Sequence, residues 1–275
     1  MNQGLKQFLL RMRRFFHTHE HSWNNAALEL QQRLKNPLYL EQFGFKTYSQ
    51  NDEDGIINEI FNRIGTTDKR FVEFGVDNGL ECNGHFLLHK GWNGLWINGS
   101  KKHCNEIRKL FKKPLELKQL VLVNAFINAE NINEIISKNF TGLQTKQEID
   151  LLSIDIDGND YHVWKAINCI SPRVVVIEYN AIFPPWHEWV MPYNAAHIWD
   201  GSDNFGASLK SLELLADTLG YQLVGTNLTG VNAFFVKRNL AKDWFVSPAS
   251  AEKLYNPARY DLVYRNRCAP KHYIG

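Results

Sequence analysis

The sequence lacks the features that mark membrane-spanning, secreted or zinc-knuckle proteins. No apolar run approaches the ~20 residues that a transmembrane helix needs, and the first residues carry no apolar stretch followed by a small-residue cleavage site. Its four cysteines, Cys82, Cys104, Cys169 and Cys268, stand singly and form no CxxC pair. Neither a zinc knuckle nor a disulfide framework is therefore predicted, and a cytoplasmic location is expected.

The chain has little excess of one charge, with a formal net charge of +2. It therefore offers no global attraction for nucleic acid, and we expect no nucleic-acid partner. Its 275 residues, 44% hydrophobic and 22% charged, fit one large α/β domain with terminal extensions, or two small domains. We expect an N-terminal helical extension at 1–45, the main domain at 46–240, and a C-terminal extension at 241–275 packed on that domain.

Residues 5–16 place their apolar side chains on one helical face and cations on much of the rest. Two interpretations stay open. The apolar stripe packs on the domain or on a second subunit, or the helix lies peripherally on an anionic membrane surface. The three histidines that follow fit a solvated linker or a metal site.

From residue 49 the pattern alternates between helices and short buried strands. Strands are predicted at 71–74, 95–97, 120–123, 151–154, 174–177, 221–224 and 233–236. Helices are predicted from about 49 to Gly65, at 81–90, at 107–111 ending at Pro114, and at 132–136, 161–167 and 209–219. This alternation predicts a mostly parallel seven-stranded sheet with helices on both faces. The link at 225–232 is too short for a parallel crossover, so the last strand should run antiparallel.

Polar residues follow the predicted strands, at the edge where open α/β sheets bind ligands. After the first strand, Gly75 and Gly79 allow the backbone to approach a ligand closely, and Glu73 is suited to accept from an ammonium group. Asn98 ends the second strand, where nucleoside-binding folds usually place an acid for the ribose hydroxyls. Asn124 begins a turn suited either to an adenine contact or to simple capping.

Three acids, Asp155, Asp157 and Asp160, follow the fourth strand and repel one another unless a cation or helix N-terminus offsets them. Strand alternation should send Asp155 and Asp157 to one face. Glu178 and Asn180 follow the fifth strand. The alternatives are a Mg²⁺ or similar ion held by Asp157, Glu178 and Asn180, or acids that bind loop amides and substrate hydroxyls.

A long aromatic and polar stretch separates Asn180 from Phe205, and loops of this length are usually functional. Its aromatic faces suit sugar rings. His187 or His197 is a candidate general base, although either fits a structural role as well.

Taken together, these segments resemble the FkbM-type family of S-adenosylmethionine-dependent methyltransferases over about residues 48–238. The matching runs are 49–55, 72–79, 94–97, 153–158, 176–180 and 232–236. The resemblance implies the Rossmann-like class I methyltransferase fold and O-methylation of a hydroxyl on a sugar, glycan or glycosylated natural product. The sequence departs from the family at Asn98, where an acid is usual.

The resemblance also assigns roles along the strand ends. The expected cofactor contacts are Gln50, Glu73, Gly75, Asn78, Gly79, Asn98, Asn124, Ala125 and Asp155. Asp155, Asp157 and His187 are the expected catalytic residues. S-adenosylmethionine is the expected cofactor, with a divalent cation such as Mg²⁺ as the open alternative above, and the partner is a small-molecule or glycan acceptor.

Two rival interpretations remain. Asn98 motivates a non-catalytic binding module that keeps the methyltransferase fold. A dehydrogenase is less consistent with the sequence, because the turn after the first strand is not GxGxxG.

Overall fold

The computed structural model describes residues 28–140 and 147–259. The predicted amphipathic helix at 5–16, the histidines after it and Cys268 lie outside the described residues. Residues 28–33 are helical. In the described part of the chain, no helix has the length and apolar character needed to cross a membrane.

A seven-stranded sheet forms the centre of the fold, in the order β3-β2-β1-β4-β5-β7-β6. Strands β1 to β5 are parallel, and β7 pairs antiparallel with both β5 and β6. The predicted antiparallel last strand is confirmed. The strands are β1 Arg70–Phe74, β2 Asn93–Asn98, β3 Leu120–Asn124, β4 Gln147–Ile154, β5 Ile170–Glu178, β6 Tyr221–Thr226 and β7 Asn232–Lys237.

Helices connect the parallel strands, and local signals set their ends. Ser208 caps α7 by accepting from the Ser211 amide, and Gly220 ends that helix in the left-handed conformation. Gly65 ends α1 with a positive φ of 69°. The helices are α1 Glu53–Ile64, α2 Asn83–His89, α3 Lys101–Leu110, α4 Lys112–Glu116, α5 Ile132–Asn139, α6 Asp160–Ala166, α7 Leu209–Leu219, α8 Arg238–Ala241 and α9 Ala251–Leu254.

The sequence predicts that Pro114 ends the helix before it, and this prediction is wrong. That helix ends at Leu110, and Pro114 is the third residue of the separate short helix α4. A proline is tolerated there because the amides of the first helical turn need no partner within the helix.

Alternation along the strands divides the core between the two faces of the sheet. Val72 and Phe74 join the apolar cluster that α5, α6 and α7 cover, whereas Phe71 joins the cluster under α1, α2 and α3. Leu40 and Phe245, which flank the predicted domain in sequence, are buried in the second cluster. Helices on both faces of a mostly parallel sheet confirm the predicted α/β Rossmann-like architecture.

Candidate active site

A cleft of about 630 Å³ lies at the carboxyl ends of the five parallel strands. Its lining includes Gly75, Asn98, Ala125, Asp155 and Glu178. Each of these is the last residue of a strand or the one directly after it. The volume is within the usual range for small-molecule sites. The structure thus brings the predicted residues of five separate strand ends into one cavity.

Gly75 and Asp155 form the floor of the cleft through their main chains. Gly75 has a φ of +74°, and a Cβ added there would overlap the carbonyl oxygen of Asp155. Glycine is therefore required at position 75 by two independent constraints, its backbone conformation and the close approach of β4. The tight contact keeps the loops after β1 and β4 in register below any bound ligand.

Glu73 and Gly79 do not line the main cleft; they support the loop after β1 through hydrogen bonds and packing. The Glu73 carboxylate accepts from the amides of Asn83 and Gly84, at 2.7 and 2.8 Å, and from Trp96 Nε1 at 2.8 Å. Burial raises the pKa of Glu73 to about 7. Gly79 has a φ of +81°, and a Cβ there would meet the rings of Phe111 and Trp96, so backbone conformation and packing both explain this glycine.

The amides at the ends of β2 and β3 bind neighbouring main chain. Asn98 lines the cleft, whereas Asn124 is absent from its lining and donates from Nδ2 to the Asn98 carbonyl at 2.8 Å. Asn78, also absent from the lining, accepts from the Leu80 amide at 3.2 Å. Next to Ala125, the exposed ring of Phe126 adds an apolar surface to the cleft.

Asp155, Asp157 and Glu178 form a carboxylate cluster, in which one oxygen from each lies within 4.8 Å of the others. Glu178 Oε2 is buried and has no hydrogen-bond partner in the described structure. Burial and then the neighbouring carboxylates raise the pKa values of Asp155 and Glu178 well above their usual range, and burial also raises the pKa of Asp157. These side chains are disposed to share protons or to bind a cation.

Asp160 and Asn180 instead fix the surrounding loops. Asp160 accepts from the amides of Ile156 and Gly158, at 2.9 and 2.8 Å, and begins α6. Asn180 donates from Nδ2 to the carbonyls of Asp203 and Phe205, at 2.8 and 3.1 Å. Asn180 Oδ1 accepts from the Ile182 amide at 3.2 Å, so the predicted third metal ligand is bound to this loop instead.

Only part of the aromatic stretch reaches the cleft. His187 is exposed, lies outside the cleft lining and stacks on Phe183 with ring centroids 5.3 Å apart. His197 and Ile198 do line the cleft. His197 Nε2 lies 3.2 Å from the Asp157 carbonyl oxygen. The structure therefore brings His197, not His187, to the carboxylates.

Gln50 lines the cleft beside the acids that precede and begin α1. Those acids are structural. Asp54 Oδ2 accepts from the amides of residues 47–49, and Glu53 Oε1 accepts from the side chains of Asn227 and Asn232, at 2.8 and 3.0 Å. This network attaches the segment carrying Gln50 to the hairpin between β6 and β7.

Several lining residues were missed by the sequence reasoning. They are Asp77, Glu81, Ser100, His103, Phe126, Asn159 and Ile198. Asp77, Ser100 and Phe126 lie two or three residues beyond a strand end, so a wider window after each strand would have included these three.

No protein-family model matches the sequence, and a search of curated proteins finds no match. Among solved structures, one provisionally assigned as a sarcosine dimethylglycine methyltransferase from Galdieria sulphuraria is 13% identical, with a TM-score of 0.40. The match covers 62% of this chain and 61% of that one, so the chain spans under two thirds of that structure.

Two further matches are M. capricolum TrmK with S-adenosylhomocysteine and the N-terminal domain of EvdMO1 with the same ligand. The first is 14% identical with a TM-score of 0.37, covering 66% of this chain and 67% of that one. The second is 12% identical with a TM-score of 0.41, covering 76% and 94%. All three matches are distant, so the fold rests on the strand order itself. That order, with its antiparallel β7, gives the chain the fold of class I S-adenosylmethionine-dependent methyltransferases.

Proposed function

We propose that the chain is an S-adenosylmethionine-dependent O-methyltransferase of the FkbM type. Its acceptor is a hydroxyl of a sugar, glycan or glycosylated natural product. The observation that carries the proposal is the single cleft in which Gly75, Asn98 and Asp155 meet at the strand ends. Had these residues lain far apart, no shared site for a nucleoside cofactor would exist.

The cofactor fits the cleft in size and charge. Five carboxylates line it, those of Asp77, Glu81, Asp155, Asp157 and Glu178. No lysine or arginine of the described residues does so. A sulfonium nucleoside brings the positive charge that such a site lacks. Gly75 and Ala125 offer close backbone approach along the nucleoside, and the ring of Phe126 offers a face for the adenine.

The excess of carboxylates on the lining also indicates which charge the acceptor should carry. A phosphorylated or nucleotide-linked acceptor would meet carboxylates and no lysine or arginine on the lining, whereas a neutral sugar hydroxyl would find hydrogen-bond acceptors. Asn159, His197 and Ile198 lie on the lining near Asp157. They offer the mixed polar and apolar surface that a sugar ring needs. A neutral polyhydroxylated acceptor is therefore favoured.

A sugar hydroxyl must lose its proton as its oxygen attacks the methyl carbon and the carbon–sulfur bond breaks. We assign the proton acceptor to Asp157, with Asp155 beside it, because a carboxylate whose pKa is raised is a stronger base. His197 replaces His187 as the second candidate base, since only His197 lies in the cleft.

The cluster also fits a divalent cation. Three hard oxygen donors lie within 4.8 Å of one another, and one of them, Glu178 Oε2, is a buried atom without a partner. Asp155, Asp157 and Glu178 would hold such an ion, whereas Asn180 is committed to the loop above. When bound, a cation of this kind makes a neighbouring hydroxyl more acidic.

Thermal unfolding with S-adenosylhomocysteine, with NAD, and with neither tests the cofactor assignment. A ligand at 100 times its Kd stabilises a protein by about 2.7 kcal/mol, which raises Tm by very roughly 5 °C for a domain of this size. Stabilisation by S-adenosylhomocysteine alone is expected. Stabilisation by NAD alone would indicate a dehydrogenase, and no response to either would favour the non-catalytic module.

Asp157→Asn tests the catalytic assignment. Asparagine suits the positive φ of 54° at this position, so the backbone should be kept. Turnover should fall by at least ~100-fold, while S-adenosylhomocysteine affinity changes little. The matched control is Glu116→Gln, a surface carboxylate on α4 that pairs with Lys112 at 3.7 Å. Full activity of the Asp157 variant would contradict the assigned role.

A further inference from the structure

Asn98 stands where the resemblance leads us to expect an acid, and the structure shows that both polar atoms of its amide have partners. Asn98 Nδ2 donates to the main-chain carbonyl of Asp77 at 2.7 Å, and its Oδ1 accepts from the Ser100 amide at 2.7 Å. Only 7% of the residue is exposed. Asn98 therefore joins the loop after β1 to the loop after β2, and neither amide atom lacks a partner.

The bond from Asn98 Nδ2 requires a donor at position 98. An aspartate there would place a carboxylate oxygen against the carbonyl oxygen of Asp77, since an ionised carboxylate only accepts. The neutral residue at 98 is thus tied to the position of Asp77. Residue 98 and residue 77 form one structural unit.

Asp77 itself stands at the mouth of the cleft. Its φ of +43° is uncommon for a residue other than glycine. Its side chain is 85% exposed, lines the cleft, and has its Oδ1 3.4 Å from Nδ1 of His103 on α3. Of the other cleft carboxylates, Glu81 pairs with Lys46 at 3.1 Å, and the remaining three form the cluster after β4 and β5.

We propose that Asp77, rather than residue 98, accepts the hydrogen bonds of the vicinal ribose hydroxyls of the nucleoside cofactor. The inference rests on the proposed function and deepens it by naming the ribose-binding group. A carboxylate has two oxygens and can accept from both hydroxyls at once. Asn98 is then a positioning residue that fixes the Asp77 main chain, and His103 holds the carboxylate across the cleft mouth.

The proposal has a consequence for cofactor choice. A carboxylate at the ribose favours a free diol and repels a phosphate on the same sugar. Ligands that lack one ribose hydroxyl should lose affinity in the wild type, because one oxygen of Asp77 then has no donor.

Calorimetric titration of S-adenosylhomocysteine and its 2′-deoxy and 3′-deoxy analogues tests the inference, with wild type, Asp77→Asn, Asn98→Asp and the control Glu116→Gln. For S-adenosylhomocysteine, Asp77→Asn should weaken binding by roughly 10- to 100-fold, the range for hydrogen bonds to charged groups. The deoxy analogues should bind wild type weakly and lose little more in the Asp77 variant. Glu116→Gln should match wild type for all three ligands.

Asn98→Asp separates this inference from the simpler idea that Asn98 itself binds the ribose hydroxyls, less strongly than the usual acid would. If Asn98 positions Asp77, then restoring the acid breaks the bond to the Asp77 carbonyl and weakens binding. Circular dichroism and Tm establish that each variant is folded before titration. Asp77→Asn changes an exposed side chain and should fold, so the test does not depend on the buried Asn98 variant.

Two results would overturn the inference while leaving the proposed function intact. They are unchanged S-adenosylhomocysteine affinity in Asp77→Asn, and tighter binding by Asn98→Asp. If wild type itself fails to bind S-adenosylhomocysteine, the proposed function falls and the ribose assignment falls with it.

Discussion

The main-chain carbonyl oxygen of Asp155 occupies the place that a Cβ on Gly75 would need. Through this contact the loop after β1 rests directly on the loop after β4, and no side chain separates them. The two loops carry the residues proposed for the cofactor and for proton transfer, so the relation between the two halves of the site depends on one missing methyl group.

Gly75→Ala should therefore damage both stability and ligand binding. Gly91 is a matched control because its φ of +78° is close to the +74° of Gly75, and nothing lies within 4 Å of a Cβ there. Gly91→Ala should lose about 1–2 kcal/mol from the backbone conformation alone. Gly75→Ala adds the overlap with Asp155 and should lose about 3 kcal/mol or more.

Urea unfolding monitored by tryptophan fluorescence measures both losses, and titration measures S-adenosylhomocysteine affinity. Binding should fall only in the Gly75 variant. Equal destabilisation by the two alanines would show that β1 and β4 can separate without penalty, contrary to the packing described here.

The pH dependence of stability should carry a contribution from Glu73. Burial raises its pKa to about 7 in the folded protein, against about 4.3 in an unfolded chain. Between these values the folded state holds a proton that the unfolded chain releases. The free energy of unfolding should therefore fall as pH rises from about 4.5 to 7, by no more than about 3 kcal/mol from this group.

Glu73→Gln isolates that contribution, because glutamine cannot titrate. Urea midpoints measured from pH 4.5 to 8 should fall less steeply in the variant than in wild type. The other raised acids, among them Asp52 and Asp54, act in the same direction in both proteins and cancel in the comparison. Parallel profiles would mean that the three donors around Glu73 hold its pKa near the ordinary value.

A buried ion pair near the start of β1 predicts a loss of stability without a loss of function. Asp150 is fully buried, pairs with Arg173 at 2.9 Å, and accepts from the amides of Thr67, Asp68 and Lys69. Asp150→Asn leaves the Arg173 charge buried and poorly compensated, so unfolding should become easier by about 3–5 kcal/mol.

The control for Asp150→Asn is a substitution of Glu148, which lies on the same strand, β4. Glu148 forms an ion pair with Lys237 at 2.6 Å but is about half exposed, so Glu148→Gln should change stability by less than about 1 kcal/mol. Chemical unfolding gives both values, and S-adenosylhomocysteine affinity of the folded proteins should match wild type. A small effect of Asp150→Asn would show that its amide contacts suffice without the charge.

Regular elements with strong local signals could be predicted from the sequence. α7 was predicted at residues 209–219, and its observed limits agree. The structure shows a serine cap at one end and a left-handed glycine at the other, which are strong local signals. β5 is longer than predicted and begins before Pro172. A proline near the start of a strand removes few ladder bonds, so the strand can extend past it.

Several residues predicted for the site line one cleft at the strand ends, whereas others lie behind it. Glu73 was expected at the cofactor, although alternation places it on the same face as Phe71, beneath α2 and Trp96. Asp155 and Asp157 were expected to meet by strand alternation. The strand instead ends at Ile154, and the positive φ of Asp157 turns the chain. Long-range contacts such as that from Asn98 to Asp77 leave no local signal in a sequence.

The carboxylate cluster should make the stability of the protein respond to divalent cations. Burial, and then repulsion among the neighbouring carboxylates, raise the pKa values of Asp155 and Glu178 well above their usual range. Glu178→Gln removes one of the three charges. In the absence of metal it should raise the free energy of unfolding, because it relieves repulsion in a partly buried cluster.

With Mg²⁺ bound, wild type should become more stable than Glu178→Gln. Added ion should raise the Tm of wild type, and the rise should be larger at pH 8 than at pH 6 because protons compete for carboxylates whose pKa is raised. Glu178→Gln should lose the response, whereas Glu81→Gln should keep it. The Glu81 substitution removes an equal charge from the same cleft, but Glu81 lies outside the cluster. Differential scanning fluorimetry at the two pH values measures these shifts. An equal response in both variants would place the ion elsewhere, and no response in wild type would leave Asp157 as the proton acceptor without a metal.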